Sequence, residues 1–384
     1  MKILKAVVVI MVILILWCSC EYNDLRPEPS ALSINLRWVK AYPEETRDQV
    51  ITGIAWELSY LGASLPPGAM KRVVYWASDD HLILDIQAAE FPDAAIPAWT
   101  AIIAALRQTE EYTQRGGIDI GRFIMLTLNS TNHYYAITGA HKQLIEFRES
   151  YTFDKKKAAV LTSSVAYGNR LIEIANADAS GTVACIAAEG PGTVPDNTFI
   201  EEEYEVIDLM ANGQLRFALY DAQGHLKTSA SPLLTIASKP AKCLWCHEVT
   251  LTNPIQDYPA TNGFYNKDEF SALIDNRKLR IHDYRLGLKS DIDFSQTQAH
   301  TQMELLYLSF MEPSAERLAL EWGLSPDEVK SRLQNAPLHT NPELTSSGQL
   351  YSRKDIDTQS PYRALQVPED AREFSSYEPA VVVP

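Results

Sequence analysis

A pair of cysteines with a histidine directly after the second one is the feature that most constrains this chain. The segment reads Cys243-Leu244-Trp245-Cys246-His247. In a chain of 384 residues with 5 cysteines and 8 histidines, this pattern arises by chance roughly once in a thousand such chains. Two thiols are held three positions apart beside an imidazole, a side chain that commonly binds metal ions. This segment is therefore the first place to look for chemistry.

The segment resembles the haem-attachment motif of c-type cytochromes. In that family the two thiols add to the two vinyl groups of one haem, and the histidine presents a ring nitrogen to the iron. The resemblance implies one covalent haem c, with Cys243 and Cys246 as thioether anchors and His247 as the proximal iron ligand. It covers these five residues, and the flanking sequence indicates no subfamily.

Two other interpretations of the same residues remain open. One is a redox dithiol, although the thioredoxin-like motif normally has Trp directly before its first cysteine, where this chain has Lys242. The other is a zinc site formed by Cys243, Cys246 and His247. A zinc ion would need further ligands from scattered histidines or carboxylates, since the chain has no second cysteine pair.

The sixth iron ligand decides what a bound haem does. A Met or a second His favours electron transfer, whereas an open position allows ligand binding or peroxide chemistry. In compact single-haem cytochromes the distal Met lies some tens of residues after the motif, and Met311-Glu312-Pro313-Ser314 resembles that context. His300 is the second candidate. Met311 and His300 lie near one face of a predicted helix over residues 295–311, a face that core residues would also occupy.

The N-terminus has the features of an export signal. Lys2 and Lys5 precede the twelve apolar residues 6–17, a run too short to span a bilayer. Ser19 then precedes Cys20, and a small residue directly before a cysteine resembles the lipobox of bacterial lipoproteins. The resemblance implies a signal peptide over residues 1–19, cleaved before a lipidated Cys20.

A lipid on Cys20 implies a location in the cell envelope, at the outer membrane on its periplasmic or surface side. Covalent haem attachment also takes place after export, so the signal and the motif support each other. The net charge of −15 argues against nucleic acid as a partner. It leaves small molecules and basic proteins open.

Composition and patterning predict an α+β fold. The chain is 46% hydrophobic and 22% charged, as in globular proteins. A chain of 384 residues is too long to form a single hydrophobic core of ordinary size, so more than one domain is expected. We expect a helix and hairpin N-terminal unit, a β-rich middle unit and a mostly helical, haem-bearing C-terminal unit. The expected parts are a tether over 20–45, an α+β domain over 46–157, a β-rich domain over 158–240, and a haem domain with an irregular tail over 241–384.

Hydrophobic periodicity predicts the elements of the first domain. Apolar residues at helical spacing predict a helix that starts after Thr46. Alternating runs predict two β-hairpins, the first from residues 71–76 and 81–87, the second from residues 122–129 and 133–138.

The later domains have their own predicted elements. Strands of the middle domain are predicted at residues 171–174, 182–188, 204–210 and 214–220. Cys185 lies in the second of these and is predicted to be a buried core thiol. Helices of the last domain are predicted at residues 267–276, 295–311 and 325–333.

These features predict an exported, lipid-anchored, monohaem cytochrome-like protein. It would pass one electron to or from a redox partner protein in the cell envelope. A haem enzyme or haem sensor with an open distal position is the first alternative, because the region before the motif is longer than an electron carrier needs. A haem-free surface binding lipoprotein is the second alternative.

Overall fold

The computed structural model describes residues 29–176, 183–248, 250–252, 263–296, 298, 300–342 and 348–370. The predicted export signal with Cys20 lies outside these residues, as does the end of the predicted C-terminal tail. The α+β class with a β-rich middle region is confirmed. In the described part of the chain, no helix is both long and apolar enough to cross a membrane.

A four-stranded sheet organises the first part of the chain, in the strand order β2-β3-β1-β4. Its strands are β1 at Ser33–Arg37, β2 at Val74–Trp76, β3 at His81–Asp85 and β4 at Ile118–Asp119. β2 and β3 pair antiparallel, as the first predicted hairpin requires, but residues 71–73 of its first predicted strand belong to the helical turn Met70–Val73. β1 pairs antiparallel with β3 and parallel with β4.

The predicted tether over residues 20–45 is wrong from Ser33 onward. β1 lies between two strands of the sheet, and its Ile34 and Leu36 are almost completely buried. Alternate residues of a strand point to the same face, so these two side chains anchor β1 to the core. Five residues are too few for their alternation to stand out next to a segment that contains proline and charge.

Seven α-helices belong to this part of the chain, counted over the residues that the structure describes. They are α1 at Arg47–Tyr60, α2 at Met70–Val73, α3 at Ile96–Arg107, α4 at Glu110–Arg115, α5 at Ile120–Ile124, α6 at Thr131–Thr138 and α7 at Leu144–Glu149. The predicted start of α1 is confirmed. Thr46 and Gln49 form a capping box, in which each side chain accepts a hydrogen bond from the other's backbone N–H.

The second predicted hairpin is wrong, because its residues form α5, a π-helical turn at Met125–Asn129 and α6. The Asp119 side chain begins α5 by accepting a hydrogen bond of 2.8 Å from the Gly121 N–H. Every residue of the first predicted strand is buried. A run buried on all sides has no exposed positions to set a period, so its sequence does not separate a strand from a buried helix.

A five-stranded antiparallel meander forms the middle of the chain, in the order β5-β6-β7-β8-β9. The strands are β5 at Ala158–Val160, β6 at Arg170–Ile174, β7 at Ala184–Glu189, β8 at Glu203–Leu209 and β9 at Leu215–Asp221. The four predicted strands are confirmed as β6 to β9, with shifts of one or two residues at their ends.

Helices follow in the last part of the chain. They are α8 at Pro240–His247, α9 at Lys267–Gly287, α10 at His300–Met311, α11 at Ala315–Trp322, α12 at Pro326–Arg332 and α13 at Arg353–Ile356. All three predicted helices are present as α9, α10 and α12. α9 continues eleven residues beyond its predicted end at 276.

One hydrophobic core runs through all three expected domains. α10, from the expected haem domain, packs against α1 and α5 of the first domain. Gly121 of α5 permits this approach, because a Cβ atom there would lie 2.3 Å from the Cβ of Phe310. The boundaries expected after residues 157 and 240 thus divide elements that share a core.

Candidate functional site

The motif residues lie on one helix, α8, and face one cavity. Lys239 is extended and Pro240 occupies the first helical turn, which favours a helix start at this point. Cys243, Cys246 and His247 then fall at positions i, i+3 and i+4, which share a helical face. All three line a cavity of 220 Å³.

The opposite wall of the cavity is one face of the five-stranded sheet. Cys185 pairs with Ile207, and Ile207 pairs with Phe217, so the side chains of all three point to the same side. These three residues line the cavity, together with Phe270 and Ile274 of α9. The surroundings of the motif are therefore mostly apolar.

His247 is held in a form suited to bind a metal ion. Its Nδ1 lies 3.4 Å from the carbonyl oxygen of Thr250, and its ring lies 6.0 Å from the ring of Phe217. When Nδ1 donates to this carbonyl, Nε2 carries the lone pair that a metal requires. Burial lowers the pKa of His247 to about 4, so the imidazole is neutral at physiological pH.

The two motif cysteines differ in exposure. Cys243 is half-buried, with its Sγ 3.6 Å from the carbonyl oxygen of Lys239, whereas Cys246 is exposed. Burial raises the pKa of the Cys243 thiol well above its usual value, and nearby Glu205 raises it further. Both cysteines are free, as attachment to a haem through thioether bonds requires.

Charged groups mark one end of the cavity. The Arg170 guanidinium donates a hydrogen bond of 2.5 Å to Glu205, and its Nε lies 2.8 Å from Glu189. Arg170 and Glu205 both line the cavity. This arginine therefore already has two carboxylate partners at the polar end of the cavity.

The structure does not bring the two predicted distal ligands to this cavity. His300 lies beside Trp245, with ring centroids 5.1 Å apart, and its Nδ1 lies 2.8 Å from Oε2 of Glu248. Met311 is buried at the end of α10, which packs against α1 and α5. Neither residue is among those that line the cavity.

The sequence did not reveal that Cys185 lines the same cavity as the motif residues. Its burial and its strand were predicted and are confirmed. Strand alternation would have placed Cys185 and Ala187 on one face, and both line the cavity. Which element covers that face depends on the packing of α8 and α9, which are distant in sequence.

The residues present fit a covalently attached haem. Two free thiols and a neutral imidazole face one apolar space, and these are the groups that hold a haem c. The cavity is smaller than the roughly 300–1,000 Å³ typical of ligand pockets, so a haem bound there must widen it or extend beyond it. Within the described ranges, no three His, Cys, Asp or Glu side chains are grouped to hold a metal ion.

Comparison with known proteins provides no relative for this chain. No protein-family model matches it, and no curated protein or solved structure is significantly similar to it.

Proposed function

We propose that this chain is an exported, lipid-anchored c-type haem protein that transfers one electron in the cell envelope. The observation that carries the proposal is the common orientation of Cys243, Cys246 and His247 into one mostly apolar cavity. The spacing alone puts the three side chains on one helical face. What supports haem chemistry beyond the motif is the apolar covering of that face by side chains of β7, β8, β9 and α9, which are distant in sequence.

In this proposal Cys243 and Cys246 hold the haem through thioether bonds and His247 is its proximal ligand. A bound haem supplies an iron that exchanges one electron between two oxidation states. The protein's part is to position the imidazole through the Thr250 carbonyl and to surround it with apolar groups such as Phe217. Such surroundings exclude water and thereby tune a redox potential.

The location and partner form a second part of the proposal. The basic and apolar N-terminus with Cys20 supports export and lipid attachment to a membrane of the cell envelope. A lipid-anchored electron carrier needs a redox partner protein in the same compartment.

The decisive experiment measures haem retention. The full chain is produced in a host with haem-attachment machinery, extracted with acidic acetone and analysed as its pyridine haemochrome. We expect haem to stay with the polypeptide in the native protein and to be lost in a Cys243→Ala, Cys246→Ala variant. Cys185→Ala is the matched control, because it removes a thiol from the same cavity but leaves the motif intact. Correctly exported native protein without haem would contradict the proposal and favour a haem-free surface binding lipoprotein.

A haem enzyme or sensor with an open distal position is the second candidate. The observation that favours it is that neither Met311 nor His300 lines the cavity. Carbon monoxide binds ferrous haem where a coordination position is open. A carbon monoxide-induced spectral change in the reduced protein supports this candidate, whereas an unchanged spectrum supports the electron carrier.

A further inference from the structure

The cavity that contains the motif residues has a third thiol, on the wall opposite α8. Cys185 of β7 lines this cavity together with Cys243, Cys246 and His247. It is almost completely buried, and its thiol is free. In the proposed function the two motif thiols are consumed by the vinyl groups of the haem. Cys185 is then the thiol of this cavity that remains available for another bond.

The positions of Cys185 and His247 are related through one row of the sheet. Cys185, Ile207 and Phe217 are cross-strand neighbours on β7, β8 and β9. The ring of His247 lies 6.0 Å from the ring of Phe217, at the β9 end of this row. Neighbouring strands lie about 4.8 Å apart, which puts Cys185 roughly 10 Å from Phe217 along the row. A group that occupies the cavity over Ile207 therefore has the imidazole toward one side and the thiol toward the other.

The lining of the cavity leaves little choice of iron ligand. Haem iron is bound in proteins by His, Met, Cys or Tyr side chains. Among the described residues that line this cavity, those four types are represented by the three motif residues and Cys185. The carboxylate of Glu205 also lines it but is already bound by Arg170 at 2.5 Å. Cys185 is thus the lining residue suited to bind iron from the side away from His247.

The protonation of Cys185 is compatible with metal binding. Burial raises the pKa of its thiol to about 12, and the Arg277 guanidinium on α9 opposes this rise. Without a metal ion the sulfur is therefore protonated at physiological pH. A thiol that binds a metal ion loses its proton. Iron takes the place of that proton, which passes to solvent.

We propose that Cys185 is the axial ligand of the haem iron on the side opposite His247. This inference rests on the proposed function, and it names a ligand in place of Met311 and His300, which do not line the cavity. In this arrangement one imidazole and one thiolate bind the iron. A thiolate donates electron density to iron and stabilises its ferric state, so the redox potential is lower than with a methionine in the same place.

The first measurement needs no variant. X-ray absorption at the iron edge of the full-length, haem-loaded protein reports which atoms are bound directly to iron. We expect one sulfur atom besides nitrogen. The sulfur atoms of Cys243 and Cys246 do not contribute, because thioether bonds attach them to the edge of the haem. Iron surrounded by nitrogen alone, or by nitrogen and oxygen, would overturn the inference.

Substitutions then identify the source of the sulfur. Cys185→Ser removes the sulfur with little change of size. We expect this variant to lose the iron-bound sulfur, the sulfur-to-iron charge-transfer absorption and the EPR signal of a thiolate-bound ferric haem, and to have a higher redox potential. The controls are Met311→Leu and Ala187→Ser, the second of which adds a hydroxyl to the cavity-facing side of β7. Both should keep the native spectra, and a loss of the sulfur signal in Met311→Leu would assign the sulfur to Met311 instead.

Haem retention separates this inference from the proposed function. Cys185→Ser keeps the whole motif, so haem should remain attached after extraction with acidic acetone. Covalent haem with native absorption and EPR spectra in this variant would overturn the assignment of Cys185 and leave the proposed function standing. Correctly exported native protein without haem would reject both.

Discussion

Nδ1 of His300 lies 2.8 Å from Oε2 of Glu248, the residue directly after His247. Oε1 of the same carboxylate accepts hydrogen bonds from the His300 backbone N–H at 2.6 Å and from the Tyr60 hydroxyl at 2.5 Å. Glu248 thus joins the end of α8 to the start of α10 and the end of α1. His300 is committed to this contact, and it packs against Trp245 rather than against the cavity.

This contact predicts that His300 supports the fold and does not bind iron. We expect His300→Ala to leave the absorption spectrum of the haem-loaded protein unchanged. The free energy of unfolding should fall by about 1–3 kcal/mol, because a hydrogen bond to a charged group is lost. Urea unfolding and a reduced-minus-oxidised spectrum measure the two effects. His247→Ala is the comparison and should alter the spectrum, whereas a spectral shift in His300→Ala would make His300 a ligand after all.

Glu57 predicts a change of stability with pH. Its carboxyl is fully buried in α1 and accepts a hydrogen bond of 2.6 Å from Thr127, and burial raises its pKa to about 8. A folded-state pKa above the unfolded value of about 4.5 means that folding favours the protonated form. The stability that Glu57 contributes is present below pH 4.5 and is lost as the pH rises through 8.

Glu57→Gln should therefore remove the loss of stability that occurs as the pH rises. We expect the variant to exceed the native protein in stability at pH 8 by about 3–5 kcal/mol and to equal it near pH 4.5. Urea midpoints at several pH values measure the difference, and Glu44→Gln, at an exposed position, is the control. A difference that stays constant with pH would show that Glu57 does not titrate in this range.

A buried cluster of ion pairs joins the C-terminal helices to the residue that precedes α5. The Glu321 carboxylate accepts hydrogen bonds from Arg353 at 2.8 and 2.9 Å and from Arg317 at 2.7 Å. Arg317 also binds Asp119 at 2.9 Å, ahead of α5. Burial alone would raise the pKa of Glu321, but Arg353 and Arg317 lower it to about 2. This contribution to stability is present above pH 4.5 and is lost as the pH falls toward 2.

Removal of the Glu321 charge should therefore be costly. We expect Glu321→Gln to lower the free energy of unfolding by about 3–5 kcal/mol at pH 7, since two arginines lose a buried partner. Glu316→Gln, on the exposed side of α11 near Lys330, should change it by less than about 1 kcal/mol. Denaturant unfolding compares the two variants, and similar losses in both would contradict a special role for the buried cluster.

Cys246 and Cys185 should differ strongly in their reaction with a thiol reagent. Burial raises the pKa of Cys185 to about 12, and Cys246 is the exposed thiol of the motif. In protein made without haem attachment, we expect an alkylating reagent at pH 8 to modify Cys246 first and Cys185 only after unfolding, because the thiolate is the nucleophile. Peptide mass spectrometry over time identifies the modified residues. Equal rates at Cys185 and Cys246 would contradict the burial of Cys185.

Local sequence signals were sufficient for several elements and for the motif. The strands β6 to β9 follow from short runs of strand-forming residues separated by Gly, Pro and Asn at fairly regular intervals. The start of α1 at Thr46 follows from a capping interaction between residues three positions apart. The motif formed by Cys243, Cys246 and His247 could likewise be recognised from the sequence, because its residues lie within five consecutive positions.

Only the tertiary structure decided what surrounds those residues. The face of β7 that carries Cys185 became a cavity wall because α8 and α9, far away in sequence, pack over it. His300 contacts Glu248 and does not line the cavity. The segment expected to be a tether forms β1, because it pairs with a strand on each side. Local patterns report the energies of a few neighbouring residues, whereas the site depends on contacts between segments tens to hundreds of residues apart. Those contacts are selected by the packing of the whole core.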